Sequence, residues 1–305
     1  MSARLAGLLA LLLATGALQA ATYPLPPPGV DVVGQDRTIR TRHEDTLVDL
    51  ASEHRLGYDE ILLANPQVDR WLPGEGTPVI LPGRHILPDS PRRGIVLNLA
   101  ERRLYYYPEP EPGDTPVVVT YPVGIGRVDW QTPLGMTRIV TKQANPAWHP
   151  PESIRQEHLA QYGEPLPAMI PPGPDNPLGP YALRLSIPGY LIHGTNKPYG
   201  VGSRVSHGCV RLYNEDIGDL FRQVPLNTPV AIVNQPIKVG LAGGTVYLEA
   251  HPPLEEPGVP NGATLDEALR ILRERAGAAF ADRVDLDALL AAIDRADGLV
   301  APIGD

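Results

Sequence analysis

The chain has 305 residues, a formal net charge of −9 and one cysteine. The acidic balance, with no basic run, argues against a nucleic-acid partner, and the lone cysteine excludes an internal disulfide. The length allows two or three modest domains, and 36 prolines point to irregular, β-rich structure rather than to a helical bundle.

Residues 1–20 read as an export signal. Arg4 gives the positive start, Leu8 to Leu13 the apolar segment, and Gly16-Ala-Leu-Gln-Ala20 the small-residue cleavage site. The competing reading is a retained anchor, but the apolar run is short for a membrane span and prolines follow it. No cysteine stands directly after the apolar segment, so the reading excludes a lipid-modified N-terminus. Residues 21–35, with Pro24, Pro26, Pro27 and Pro28, are predicted to be an extended, proline-rich linker.

A small module is predicted over residues 36–85. Thr46 to Leu56 has helical spacing with Leu47, Leu50 and Ala51 on one face. Glu60 to Asn65 gives a second short helix, stopped by Pro66, and Thr77 to Leu81 a closing strand. The Asp45-Thr46-Leu47 start, the Leu50-Ala51 pair, Asn65-Pro66, Gly74 and Val79-Ile80-Leu81-Pro82 together resemble a LysM module. The resemblance implies a βααβ fold that binds glycans containing N-acetylglucosamine, such as peptidoglycan. Glu44 stands where that family has glycine, and a structural cap on the next domain is the other reading.

Residues 94–235 form the predicted main domain, mainly β in a barrel or sandwich. Its strand candidates are Ile95–Ala100, Arg103–Tyr107, Val117–Val123, Thr137–Thr141, Ala182–Ile187, Leu191–Gly194 and Pro229–Asn234. One helix is predicted after Leu212, with Asn214 as N-cap and Ile217, Leu220 and Phe221 as its apolar face. The proline-rich insertion at residues 143–175 is expected to shape one wall of a cleft. The tail, residues 240–305, is predicted as a proline-rich stretch and two helices. The first opens on Thr264-Leu-Asp-Glu267, a capping-box pattern, and the second covers about residues 286–296 and stops at Gly298.

The chemistry concentrates in His193 to Cys209. A lone thiol in an exported chain is a liability unless it does chemistry, and a cysteine nucleophile needs a base or cation beside it and donors for the developing oxyanion. His193 lies on another strand and can approach Cys209 across a groove, whereas His207 is too close in sequence to pair as freely. Gly208 allows a tight turn, so the Gly208 and Cys209 amides can form an oxyanion hole. Arg204 and Arg211 can grip a carboxylate. Zinc is the rival reading, since His193, His207 and Cys209 are suitable ligand types, but no fourth ligand is evident.

The His193-Gly194 strand, Ser206-His207-Gly208-Cys209 and Arg211 two residues later resemble the signature of the YkuD-type L,D-transpeptidases. Leu97 to Pro108, Pro122 to Gly126, Thr132 to Gly135, Trp148-His-Pro-Pro and Asn176 to Leu183 resemble the ErfK/YbiS/YcfS/YnhG subgroup. The resemblance implies that Cys209 attacks the bond after meso-diaminopimelate in a tetrapeptide stem, that D-alanine leaves, and that an amine resolves the thioester. It implies catalytic roles for Cys209, His193, His207 and Gly208, and substrate-binding roles for Gly194, Ser206, Arg211, Arg204 and Tyr181. It further implies a periplasmic site, no metal or cofactor, and acylation by carbapenems. The acceptor it favours is a lysine of an outer-membrane lipoprotein. A second diaminopimelate, giving 3→3 cross-links, and water remain alternatives, as does a non-catalytic binding scaffold.

Overall fold

A computed structural model describes residues 20–254, 264–276 and 283–305. The predicted export signal, apart from Ala20, therefore lies outside the described residues, as does most of the Pro252–Pro260 stretch. Among the described residues no helix is long and apolar enough to cross a membrane.

The chain is mainly β. In order it forms β1 (Ala21–Pro24), β2 (Val32–Gly34), β3 (Arg37–Arg40), α1 (Leu47–Glu53), α2 (Tyr58–Ala64), β4 (Pro78–Leu81), β5 (Arg84–Ile86), β6 (Gly94–Asn98), β7 (Arg103–Tyr107), β8 (Val117–Pro122), β9 (Ile125–Gly126) and β10 (Gly135–Ala144). Then follow α3 (Glu152–Tyr162), β11 (Tyr181–Leu185), β12 (Leu191–His193), β13 (Arg204–Ser206), β14 (Val210–Arg211), α4 (Asn214–Gln223), β15 (Pro229–Val233), β16 (Ile237–Ala242), β17 (Thr245–Ala250), α5 (Leu265–Ala276), α6 (Leu286–Arg295) and β18 (Ala301–Gly304).

One curled nine-stranded sheet, ordered β1-β8-β7-β6-β15-β10-β11-β12-β14, carries the molecule. Strand alternation explains its two buried faces. Ile95, Leu97, Leu104, Tyr106, Val119 and Tyr121 enter one core with Ile217 and Leu220 of α4, whereas Val96, Tyr105, Tyr107 and Val118 enter a second core on the other face. Each fully buried aliphatic side chain in such a core contributes about 1.5–3 kcal/mol. The β12–β14 pairing that ends the sheet is parallel, with Ile192 opposite Val210 and His193 opposite Arg211. That edge brings the two halves of the signature segment together.

The strand-helix-helix-strand order over residues 36–85 is present as β3-α1-α2-β4, with β3 antiparallel to β4. Leu47, Leu50, Ala51, Leu56, Ile61, Val79 and Leu81 form its core. Thr46 caps α1 by accepting from the Asp49 amide at 3.0 Å, and the Asn65 side chain ties the end of α2 to Ile80.

Three expectations need correction. Residues 21–35 are not simply a linker: β1 pairs with β8 at the edge of the main sheet and β2 pairs with β5, because backbone donors beside a sheet edge find partners there. The tail is not only helical. β16, β17 and β18 make a three-stranded sheet against which α5 and α6 pack, with Val239, Val246, Leu248, Ala268, Leu272 and Leu289 in one core. Asn214 is not the cap of α4 but its first residue. Its Oδ1 accepts instead from the Thr195 amide at 2.8 Å and so ties the helix to the segment after His193.

Candidate active site

Cys209 lies between a tight turn and the short strand β14. Ser206 Oγ donates to the Cys209 carbonyl at 2.5 Å, which closes the Ser-His-Gly-Cys turn. Gly208 has φ +94°, and a Cβ there would stand 2.8 Å from the Tyr190 ring, so only glycine fits. The Gly208 carbonyl accepts from Thr132 Oγ1 at 2.9 Å, and Thr132 Oγ1 in turn accepts from the Gly126 amide at 3.2 Å. β14 is held on its other side by paired bonds between Arg211 and Gly124, at 2.8 and 2.9 Å.

This frame opens into a cleft of about 380 Å³ lined by Cys209, His193, His207, Arg211, Ser206 and Arg184, with Trp130, Trp148 and Tyr190 among the aromatic residues around them. Ala147 to His149, Pro151, Ser153 and Ile154, all within the proline-rich insertion, supply one wall. A larger cavity of about 520 Å³ lies elsewhere, between β1, the βααβ module and α4, and holds neither Cys209 nor His193.

His193 is 3 % exposed, and one ring nitrogen settles its tautomer. Nδ1 lies 2.6 Å from the Gly194 carbonyl, which can only accept, so Nδ1 carries the proton and Nε2 is left as a base. Burial, with Arg211 nearby, pushes the His193 pKa down to about 3, against the pull of the Gly194 carbonyl. The ring is therefore neutral near pH 7. Burial also pushes the Cys209 thiol up; the Leu191 backbone and the Arg211 and Arg184 guanidinium groups oppose this. Its Sγ faces the Gly189 carbonyl at 3.7 Å. At rest Cys209 is a thiol and His193 a neutral imidazole, and both line the same cleft.

Arg211, opposite His193 in the β12–β14 pairing, brings positive charge to this edge. Its Nε is buried with no protein partner, and burial lowers its pKa. An incompletely satisfied guanidinium facing a cleft suits a carboxylate.

His207 does not turn toward Cys209. Its Nε2 lies 2.9 Å from Glu157 Oε2 and its ring meets Trp130 edge-on at 5.0 Å. Glu157 sits on α3 and also pairs with Arg127. The rival zinc set does not gather: among the described residues, the His, Cys or carboxylate ligand atoms that come within 4.8 Å of one another in threes belong to His85, Glu101 and Glu249. There Lys238 Nζ already stands 2.8 and 2.9 Å from the two carboxylates.

Residues 92–232 match the family model for the L,D-transpeptidase catalytic domain, YkuD. The probable L,D-transpeptidase YbiS of Escherichia coli K12 is 46 % identical over 239 residues, covering 77 % of this chain and 76 % of that protein. The chain belongs to the YkuD family of L,D-transpeptidases. The probable L,D-transpeptidase YcfS of the same organism is 45 % identical over 244 residues, 78 % of this chain and 75 % of that protein. The probable L,D-transpeptidase ErfK/SrfK, also from Escherichia coli K12, is 40 % identical over 298 residues, 96 % of this chain and 94 % of its own.

Within this L,D-transpeptidase the predicted site residues divide. Cys209, His193, His207, Arg211 and Ser206 share the cleft, although Ser206 spends its hydroxyl on the turn rather than on a ligand. Three residues assigned to substrate lie off the cleft wall. Arg204 turns its Nε to the Gly126 carbonyl at 3.2 Å, Tyr181 packs its ring on Phe221 at 4.6 Å, and Gly194 faces Asn214. Each is drawn away by a partner in the fold. Sequence reasoning missed Arg184, Glu157, Trp130 and the role of Thr132. Only Thr132 had a signal, in the Thr132 to Gly135 segment.

Proposed function

We propose that this L,D-transpeptidase acts through a Cys209 acyl-enzyme on peptidoglycan tetrapeptide stems. The observation that carries the reading is the convergence of Cys209, neutral His193 with a free Nε2, and Arg211 in one cleft. His193 Nε2 takes the thiol proton as Sγ attacks the carbonyl of meso-diaminopimelate. The Gly208 and Cys209 amides receive the oxyanion. Collapse breaks the bond to D-alanine, whose amine leaves with the proton from His193. The thioester then passes to an acceptor amine, which loses its proton to the same nitrogen.

Arg211, and Arg184 further out, supply positive charge for the substrate carboxylates. The acceptor is the lysine of an outer-membrane lipoprotein; diaminopimelate or water would use every one of the same protein groups. The βααβ module binds the glycan, and the export signal read at residues 1–20 supports a periplasmic site. Carbapenems would acylate the same sulfur.

The test is mass spectrometry of the protein incubated with diaminopimelate tetrapeptides, with and without a lipoprotein C-terminal lysine peptide. Loss of D-alanine coupled to a lysine-linked product supports tethering. Cross-linked dimers alone would move the role to wall cross-linking, and tripeptide alone to hydrolysis. No acyl adduct and no turnover would overturn the reading.

A further inference from the structure

The turn between α1 and α2 grips the catalytic segment at both ends. Before Cys209, the Tyr58 amide donates to the Val201 carbonyl at 2.9 Å, and Ser203 Oγ donates to Asp59 Oδ1 at 3.2 Å. Between these bonds two glycines meet backbone to backbone. A Cβ on Gly202 would fall 2.2 Å from Gly57 Cα, and a Cβ on Gly57 would fall 3.0 Å from Gly202 Cα. After Cys209, Tyr213 Oη donates to the Leu56 carbonyl at 2.9 Å. Arg55 Nη1 meets Asp216 Oδ1 at 2.7 Å, and Asp216, on α4, is 1 % exposed. The stretch Ser203 to Tyr213, which holds Ser206, His207, Gly208, Cys209 and Arg211, is thus pinned at each end by five consecutive residues of another module, Arg55 to Asp59.

We propose that Arg55 and Gly57 are positioning residues of the transpeptidase reaction, and that the βααβ module holds the Cys209 segment in register with His193. The proposal rests on the reading of Cys209 as nucleophile. It gives the module a task in the chemical step that glycan binding does not require. A module that only tethered the enzyme to its polymer would need no close-packed glycine pair against the catalytic segment and no buried Arg55–Asp216 contact on the helix that follows it, where burial pushes the Asp216 carboxyl up to about 7 against the pull of Arg55. A buried pair costs desolvation and specifies one geometry, and shifts of well under 1 Å at a nucleophile change rates strongly.

The sharpest perturbation comes from the module side. Gly57 has φ −72°, which any residue adopts, so Gly57→Ala and Gly57→Val add bulk against Gly202 without altering the catalytic segment. In the full chain the KM for a tetrapeptide muropeptide should stay within about twofold, while kcat falls a few-fold for Gly57→Ala and about tenfold for Gly57→Val. The alkylation rate of Cys209 should stay within about twofold of the wild type, because the resting thiol draws no charge from His193, so the loss falls on turnover alone. The double variant Arg55→Ala with Asp216→Ala should act in the same direction, and Arg55→Lys should restore part of what Arg55→Ala loses. Glu53→Gln, on the exposed face of α1, should match the wild type. Folded variants with wild-type kcat would overturn the proposal. So would a loss of activity that follows only the melting temperature. Turnover retained by Cys209→Ala would instead sink the nucleophile reading.

Discussion

The alkylation of Cys209 by iodoacetamide, followed from about pH 5 to 10, separates two kinds of cysteine enzyme, one with a preformed thiolate–imidazolium pair and one without. An ordinary thiol, with a pKa of about 8.5, is about 3 % thiolate at pH 7. Burial raises Cys209, so its thiolate share is smaller still. A preformed pair also needs a protonated His193. With its pKa pushed to about 3, imidazolium is about one part in ten thousand at pH 7. The alkylation rate should therefore rise about tenfold per pH unit through the neutral range and level off only above the ordinary thiol value. His193→Asn should leave that profile unchanged within about twofold, because the resting thiol draws no charge from the ring. Turnover of a muropeptide should still fall by about 10²–10⁴-fold, because proton transfer during attack is lost. A rate plateau between about pH 5 and 7, abolished by His193→Asn, would refute the reasoning: it would mean that the pair is charged at rest and that burial does not dominate.

Acid should unfold the protein partly through His193. Its pKa drops from an ordinary value of about 6.5 to about 3, so between these limits the unfolded chain binds the extra proton; stability present above about pH 6.5 is lost at about 1.4 kcal/mol per pH unit as pH falls. Urea midpoints in this range should fall less steeply for His193→Gln, and parallel slopes would contradict the assignment. Lys238→Met removes an ammonium, 2 % exposed, that holds Glu101 and Glu249. It should cost about 3–5 kcal/mol at neutral pH, so a loss under about 1 kcal/mol in denaturant titrations would contradict it. Thr132→Val should cost about 1–3 kcal/mol by orphaning the Gly208 carbonyl and the Gly126 amide, and about tenfold in kcat, with Thr132→Ser close to wild type in both.

The nucleophile and its base could be read from residue types because the chemistry demands rare residues close together. Cys209 is the only thiol, and the glycines around it mark backbone that must turn or approach closely. Glu157 could not be read in this way. It lies on α3, a helix with no buried residue, so no apolar period announces the helix, and its place over the cleft follows from pairings with His207 and Arg127 that are far apart in sequence. Arg184 looks like any solvent-facing residue of a strand until β11 is seen beside the cleft. The missed hairpin of the tail is different. Ile237, Val239 and Leu241 alternate with Lys238, Gly240 and Ala242 before Gly243-Gly244, which is a strand-turn signal in plain view. It was obscured by the prolines and helical patterns that surround it.

Lys238 shows why the arrangement of the parts is harder to read than the parts. By alternation it should face solvent, yet it reaches the Ile86 carbonyl at 2.7 Å, Glu101 at 2.8 Å and Glu249 at 2.9 Å. Glu101 also accepts from Tyr105, and Arg103 binds Glu60 of α2 and Thr120 of β8. Burial works against the Glu101 carboxylate, but the positive charge beside it, Lys238 foremost, with Arg103, outweighs it and holds its pKa well below the usual range. The same burial, with the neighbouring cations, keeps His85 neutral. One connected set of buried charges thus runs from the βααβ module through the main sheet to the tail. Each of these three units can form its apolar packing from its own periodic residues, and apolar contacts alone would tolerate some sliding between them. A buried carboxylate does not tolerate sliding, because leaving its counter-charge by a few ångströms costs several kcal/mol. The mutual placement of the units, and with it the grip of α1 and α2 on the Cys209 segment, is therefore encoded in single residues that break the local pattern. Such residues become legible only when their partners, from elsewhere in the chain, are in place.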